Sequence, residues 1–299
     1  MRIAVLTNPI SGRGRSAKRA RSVVELAKKR GHEVVVRESG GPGQPEAIAR
    51  DLSDDSWNAI VIAGGDGTVN ESLNGFVDPT AVPLAPLACG TANLLARELM
   101  LPCDAAPFLD MIEAGVTRRL DLGVANGRRF LLVLSVGFDA MVIDEIHRSR
   151  NGKLGFRGYI KPVLKTLSSY RRPRITVRLG AEEEQIAGEM VVVSNVKHYA
   201  GVLSITDRAL CDSGELDVCI FPKASIPKLV GYAIAARRRR VSTLKSVCYR
   251  FGTRVVIESE EPVPVEIDGE AFGMTPVEID VLPKCVPIMV PAAQVDCPC

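Results

Sequence analysis

Aromatic residues are scarce in this 299-residue chain: 5% of the total, with a single Trp. That argues against a nucleic-acid groove, which uses aromatic platforms for base stacking as much as positive charge. Long apolar runs are also missing. Phe130–Phe138 is among the longest and reads as a strand, well short of the roughly 20 residues a membrane-spanning helix needs. The residues Met1–Thr7 enter a strand directly and leave no room for a signal peptide, so a cytoplasmic chain is expected. No low-complexity linker or internal repeat breaks the sequence. Six of the eight Cys are scattered, mostly among apolar neighbours, as reduced thiols are. Cys297 and Cys299 form a terminal Cys-x-Cys without the second ligand pair of a metal site.

Acidic residues are absent from two long segments. His147–Arg174 holds nine Lys/Arg and no Asp/Glu, and Lys223–Ser246 holds seven and again no acid. The remaining chain carries 22 basic against 35 acidic residues, an asymmetry hidden by the formal charge of +3. Charge segregated in this way favours an anionic surface as partner, with solvated helical faces as the plainer alternative. The composition, 46% hydrophobic and 24% charged, is that of a soluble globular protein with one large domain or two ordinary ones.

The richest local signal is Ala63-Gly64-Gly65-Asp66-Gly67-Thr68-Val69-Asn70-Glu71. It follows Ala59–Ile62, a buried parallel strand by its apolar run, and leads into a short helix expected over Val69–Asn74. Three glycines around one aspartate let the backbone approach a ligand closely, and amides beside a helix N-terminus make a phosphate site. A tight turn whose acid caps the helix is the alternative.

Strands at Arg2–Thr7, Glu33–Arg37 and Trp57–Ala63 alternate with helices at Ala17–Arg30, Pro45–Leu52, Ala92–Glu98 and Ala105–Ala114. Ser16 is the expected N-cap of the first helix and Gly31 its stop. This alternation predicts a parallel sheet covered on both faces, with ligands at the carboxyl ends of its strands. Beyond Leu122, strands are expected at Arg129–Val136, Arg174–Leu179, Gln185–Ser194, Glu215–Phe221, Arg254–Ser259 and Val263–Asp268. So few helices separate them that antiparallel pairing follows. Two helices interrupt this region. One carries Phe156, Tyr159, Ile160, Val163, Leu164 and Leu167 at helical spacing, with Arg157, Lys161 and Lys165 opposite, and is kinked or restarted at Pro162. The other runs from Ile226 to Arg240.

These residues resemble the diacylglycerol kinase catalytic-domain family, which includes sphingosine and ceramide kinases and bacterial lipid kinases. The motifs are Asn8-Pro9-x-Ser11-Gly12, Gly64–Glu71, Gly90-Thr91-Ala92-Asn93, Gly137-Phe138-Asp139-Ala140, Asp268-Gly269-Glu270 and Leu282–Pro287. The glycine signature recurs in NAD kinases; the Gly-Thr-Ala-Asn loop and the Asp-Gly-Glu turn favour lipids. The resemblance implies an α/β fold. A three-layer nucleotide-binding domain with a parallel sheet covers residues 1–121. A mainly antiparallel β-sandwich lipid domain covers 122–274, and 275–299 returns to the first domain.

It further implies ATP with Mg²⁺ and phosphoryl transfer to a membrane-lipid hydroxyl. The alternatives are a non-catalytic nucleotide- or lipid-binding member and a kinase of a soluble acceptor such as NAD. By the same resemblance, Gly64, Gly65, Asp66, Gly67, Thr68, Val69, Asn70 and Glu71 form the nucleotide loop, with Asn8, Ser39 and Thr91 assisting. Glu270 is the favoured base with Asp268 assisting, and Asp66 competes as base or Mg²⁺–ATP ligand. Leu210, Ser213 and Glu215 align with a structural Mg²⁺ site, where Ser213 replaces an aspartate and is a poor ligand for a hard cation. Asp139 aligns with a lipid-headgroup anchor, and Leu94 stands where relatives carry Asp. Peripheral, salt-sensitive binding to an anionic membrane is expected through Phe156–Arg174 and Lys223–Ser246. A homodimer is left open.

Overall fold

The computed structural model describes residues 1–53, 56–149, 160–180, 184–201 and 203–294. The chain divides into two compact units, Met1–Leu122 with Pro283–Cys299, and Gly123–Leu282.

The first unit alternates strand and helix: β1 (Arg2–Thr7), α1 (Arg15–Lys29), β2 (Glu33–Glu38), α2 (Gln44–Leu52), β3 (Ala59–Gly64), α3 (Asp66–Gly75), β4 (Leu84–Ala88), α4 (Leu94–Glu98) and α5 (Ala105–Ala114). Then come β5 (Thr117–Ala125) and, from the far end of the chain, β16 (Val277–Met289). The sheet order is β2-β1-β3-β4-β16, with every neighbour parallel. β3 is buried along its whole length, as a strand covered on both faces must be; α1 pairs with α5, and α2 with α3.

Two local expectations give way. α1 starts at Arg15 behind Gly14, whose φ of +85° makes it the N-cap. Ser16 lies buried inside the first turn, donating to Ala63 O at 2.6 Å and pairing with Thr7 Oγ1 at 3.2 Å. The hydroxyl thus joins α1 to the sheet instead of capping the helix. β4 was not expected because Pro86, which lacks an N–H, makes its sequence read as a poor strand.

The second unit contains β6 (Arg128–Phe130), β7 (Val133–Val136), α6 (Phe138–Ser149), α7 (Ile160–Ser169), β8 (Ile175–Leu179), β9 (Glu184–Gly188), β10 (Met190–Ser194) and β11 (Leu216–Phe221). α8 (Ile226–Arg237), β12 (Cys248–Gly252), β13 (Arg254–Ser259), β14 (Pro264–Ile267) and β15 (Glu270–Met274) follow. One sheet has the order β12-β11-β10-β7-β14-β15 and is antiparallel throughout. The other joins β9, β8, β13 and the start of β16, also antiparallel. Val191, Val193, Val218 and Ile220 of the first sheet share a core with Val177, Val255, Ile257 and Ile279 of the second.

The expected strand Arg129–Val136 is broken at Leu131-Leu132, whose amides turn toward Asp268. Gln185–Ser194 is broken at Glu189, where the chain leaves one sheet for the other and the Glu189 amide donates to Phe221 O at 2.9 Å. α6 makes a third helix, entered through Gly137 at φ +105°. The described part of α7 begins at Ile160, two residues before Pro162, and the residues that precede it lie outside the described residues. Phe156, Arg157 and Tyr159 lie outside the described residues.

Asp217 on β11 is buried and accepts the Tyr249 hydroxyl at 2.6 Å. Burial pushes its carboxyl up from 3.8 to about 6, a shift worth on the order of 3 kcal/mol. The folded state holds this proton more tightly than the unfolded chain does. The associated stability is therefore complete below pH 3.8 and lost as pH rises through about 6. Asp217→Asn should flatten the stability–pH slope in that window; urea titrations across it give the slope, and an unchanged one would contradict the assignment.

Candidate active site

The parallel strands of the first unit deliver four loops to one edge: Asn8 after β1, Ser39 after β2, Gly65 after β3 and Gly90 after β4. Gly65 is extended and caps α3, which begins at Asp66, three residues earlier than expected. The loops after β3 and β4 touch backbone to backbone. A Cβ on Gly90 would lie 2.5 Å from Gly65 Cα and 2.9 Å from Asn93 Oδ1, so only glycine permits the contact. Asp66 secures it, accepting the Leu94 amide at 3.1 Å and the Leu95 amide at 3.3 Å. Burial raises its carboxyl above the usual range, while these amides pull it back down. Asp66 is thereby an inter-loop clamp.

Val69 N–H already donates to Gly65 O at 3.1 Å, the first bond of α3. The amides of Asp66, Gly67 and Thr68 have no intrahelical acceptor and form the positive end of the helix. The side chains of Thr68, Val69 and Asn70 are buried, and Glu71 accepts the Gly43 amide at 2.9 Å, tying α3 to the start of α2. Asn8 donates to Thr68 Oγ1 at 3.5 Å, and its Oδ1 is buried with no hydrogen-bond partner among the described residues. The buried Ser39 hydroxyl donates to Thr7 O at 3.4 Å, and Thr91 is exposed.

Sequence reasoning missed Arg15 and Arg19. Arg15 donates to Gly90 O at 2.9 Å and to Gly12 O at 3.0 Å, and Arg19 donates to Ala88 O. Their signal was available: two cations one turn apart at a helix start oppose the macrodipole and call for another reason. Asp121 was missed too. It is buried on β5 and accepts the Lys284 amide at 2.6 Å, anchoring the returning C-terminal segment. First-turn amides, a cradle only glycines can form and two guanidiniums together suit the phosphates of a nucleotide.

In the second unit, Asp268 (φ +50°) and Gly269 (φ +85°) form a two-residue turn between β14 and β15, as Asp-Gly favours. The Asp268 carboxylate accepts three amides, Leu131 at 3.1 Å, Leu132 at 3.0 Å and Val133 at 2.8 Å. It shapes the corner between β6 and β7, which leaves Glu270 as the solvent-exposed carboxylate of the motif. Asp139, in the first turn of α6, accepts the Ser135 hydroxyl at 2.8 Å. Glu266, unforeseen, accepts the Gly269 amide at 2.8 Å. Burial holds both the Asp139 and Glu266 carboxyls above their ordinary range, and their mutual repulsion raises Glu266 further. An acid inside the otherwise apolar strand β14 was the visible clue.

The Leu210–Glu215 turn does not fit a structural cation. Ser213 Oγ donates to Glu215 O at 3.0 Å, and Ser213 N donates to Leu210 O at 3.3 Å. The one side chain in the set is thus a neutral hydroxyl already turned to the backbone, a poor ligand for a hard cation. Among the described residues no group of three or more His, Cys, Asp or Glu could hold an ion.

Residues 2–125 match the diacylglycerol kinase catalytic domain, and residues 132–290 match the YegS C-terminal NAD kinase beta sandwich-like domain. A diacylglycerol kinase of Bacillus subtilis (strain 168) is 25% identical over 297 residues, 99% of this chain and 98% of that protein. One of Mycobacterium tuberculosis (strain ATCC 25618 / H37Rv) is 29% identical, over 97% of this chain and 95% of its own length. The crystal structure of a diacylglycerol kinase from Bacillus anthracis str. Sterne covers 98% of both chains with a TM-score of 0.73 and 19% identity, a likeness of fold.

If the serine bonds replace a cation at Leu210–Glu215, EDTA should leave the melting temperature unchanged, and Ser213→Asp should make it rise with millimolar Mg²⁺. A wild-type melting temperature that falls in EDTA would show that the turn does hold a metal.

Proposed function

Because the chain belongs to the diacylglycerol kinase catalytic-domain family, we propose that it transfers the γ-phosphoryl group of ATP to the hydroxyl of a membrane lipid of the diacylglycerol type. The observation that supports this most is the amino end of α3, set in the Gly65–Gly90 cradle at the carboxyl edge of a parallel sheet.

Phosphoryl transfer is catalysed mainly by placement and charge neutralisation. The amides of Asp66, Gly67 and Thr68 bind the terminal phosphates, and Arg15 and Arg19 add positive charge beside them. Mg²⁺ carried on the triphosphate supplies further neutralisation. The acceptor oxygen bonds to the γ-phosphorus as the β–γ bridging P–O bond breaks and ADP leaves. The hydroxyl proton passes late to a carboxylate. Glu270 is the candidate, as the solvent-exposed carboxylate of the Asp-Gly-Glu turn.

A kinase of bilayer lipids must reach the bilayer, although no helix among the described residues is long and apolar enough to cross it. α8 serves as the docking element. Ile226, Val230 and Ile234 are 51%, 53% and 50% exposed at i, i+4 and i+8. Lys223 and Lys228 stand at the start of α8 and Arg237–Arg240 at its end, with Lys245 beyond, and none has an ion-pair partner among the described residues. Each such cation near an anionic leaflet contributes about 1 kcal/mol.

Labelled ATP offered with diacylglycerol, sphingosine, phosphatidylglycerol or NAD should label a lipid, and Glu270→Gln should lower that rate by about 10²-fold or more. Transfer to NAD alone would replace the lipid reading, and transfer to none would end it. Val230→Asp with Ile234→Asp should abolish low-salt co-sedimentation with phosphatidylglycerol vesicles. Equal wild-type binding to neutral vesicles would sink the electrostatic part of the docking model.

A further inference from the structure

A cavity of about 700 Å³ lies beneath α8 in the second unit, remote in sequence from the nucleotide loops and the Asp-Gly-Glu turn. Five cations line it, namely Arg208, Lys223, Lys228, Lys245 and Arg250, and no lining residue is acidic. Two carboxylates nearby are engaged in the frame: Asp217 accepts the Tyr249 hydroxyl at 2.6 Å, and Glu189 accepts the Ala224 amide at 2.7 Å. Arg208 stands 5.9 Å above the Tyr249 ring, which keeps its guanidinium over the cavity wall. Tyr232, also in the lining, donates to Lys223 O at 3.0 Å, so its hydroxyl serves the frame too. The tyrosines thus provide rigid apolar sides and the cations the functional surface.

Like charges drawn around one concavity repel; Asp217 offsets Arg208 in part, whereas Lys223, Lys228 and Lys245 face no acid in the lining, and an anion offsets them most directly. The volume lies in the range of small-molecule sites and exceeds what a bare phosphate fills. Several ammonium groups with two guanidiniums suit the three oxygens of a phosphate monoester dianion, and the Tyr232–Val247–Tyr249 wall suits its organic substituent. We propose that this cavity is a second anion site, binding a phosphate monoester either free in solution or as a lipid headgroup. The proposal goes beyond the kinase reading and does not rest on it.

The test reads the cavity's own lysines and omits ATP. Acetylation of Lys223, Lys228 and Lys245 is followed by mass spectrometry, with the exposed Lys28 and Lys29 of α1 as internal controls. Glycerol 3-phosphate or inorganic phosphate should protect the three cavity lysines relative to chloride at matched ionic strength if the ligand is soluble. Protection only by phosphatidic acid vesicles, above that by phosphatidylglycerol vesicles of equal surface charge, assigns the site to a headgroup. In either case Arg208→Gln with Lys245→Gln should weaken the protection at Lys223 and Lys228 at least tenfold in ligand concentration. The proposal is overturned if no phosphate monoester protects, or if Lys28 and Lys29 are protected equally. A kinase without this protection, or this protection without kinase activity, separates the two readings.

Discussion

The bonds from the Leu94 and Leu95 amides to Asp66 hold the first site together, because they join two loops whose backbones meet at Gly65 and Gly90. Loops at the end of a sheet have left the ladder, and their amides must find other acceptors. Here short acidic side chains meet that need repeatedly. Asp268 takes three amides at the β6–β7 corner, Asp121 takes Lys284 N, and Glu71 takes Gly43 N. Each charge-assisted bond contributes about 1.5–3 kcal/mol, enough to fix a corner that apolar packing alone would leave loose. The acids of the family motifs accordingly have different duties. Asp66 and Asp268 set the backbone, and Glu270 is exposed at the tip of a turn whose shape Asp268 maintains.

Features written in consecutive residues were legible in advance. The apolar run of β3, the glycine turn behind it and the Asp-Gly hairpin all depend on local backbone chemistry. Features that depend on distant partners were hidden. Ser16 looked like a cap because its bond to Ala63 O spans 47 residues. Arg129–Val136 looked like one strand because the carboxylate that bends it, Asp268, comes more than 130 residues later. Glu189 looked like mid-strand until the Phe221 carbonyl gave its amide a reason to leave the sheet. In the glycine motif, the residues at its start lie at the first turn of α3, whereas Val69–Glu71 belong to the helix interior. A motif read as a string does not distinguish the two.

Charge patterning shows the same difference between sequence and space. Both basic segments lack acids along the chain, but folding supplies them to the first. Lys165 meets Glu145 at 2.7 Å, and Arg174 meets Glu260 at 3.3 Å. The described part of that segment is therefore partly neutralised, and Leu164 is its principal exposed apolar side chain. The second segment acquires no such partners among the described residues. Its four consecutive arginines close α8, where cations are favoured by the helix dipole, so their clustering costs less there than at a helix start.

The packing of α8 carries the docking argument one step further. Its buried face is made of Tyr232, Ala235 and Ala236, while Ile226, Val230 and Ile234 lie on the opposite side. A helix serving only the core would turn its larger aliphatic side chains inward, since burial of each stabilises by about 1.5–3 kcal/mol. Small residues fill the buried side instead, and the branched side chains remain for another apolar phase. Single exposed aliphatics need no explanation, but three at successive turns, on a helix with cations at both ends that have no ion-pair partner among the described residues, suit the hydrocarbon edge and anionic headgroups proposed as their partner.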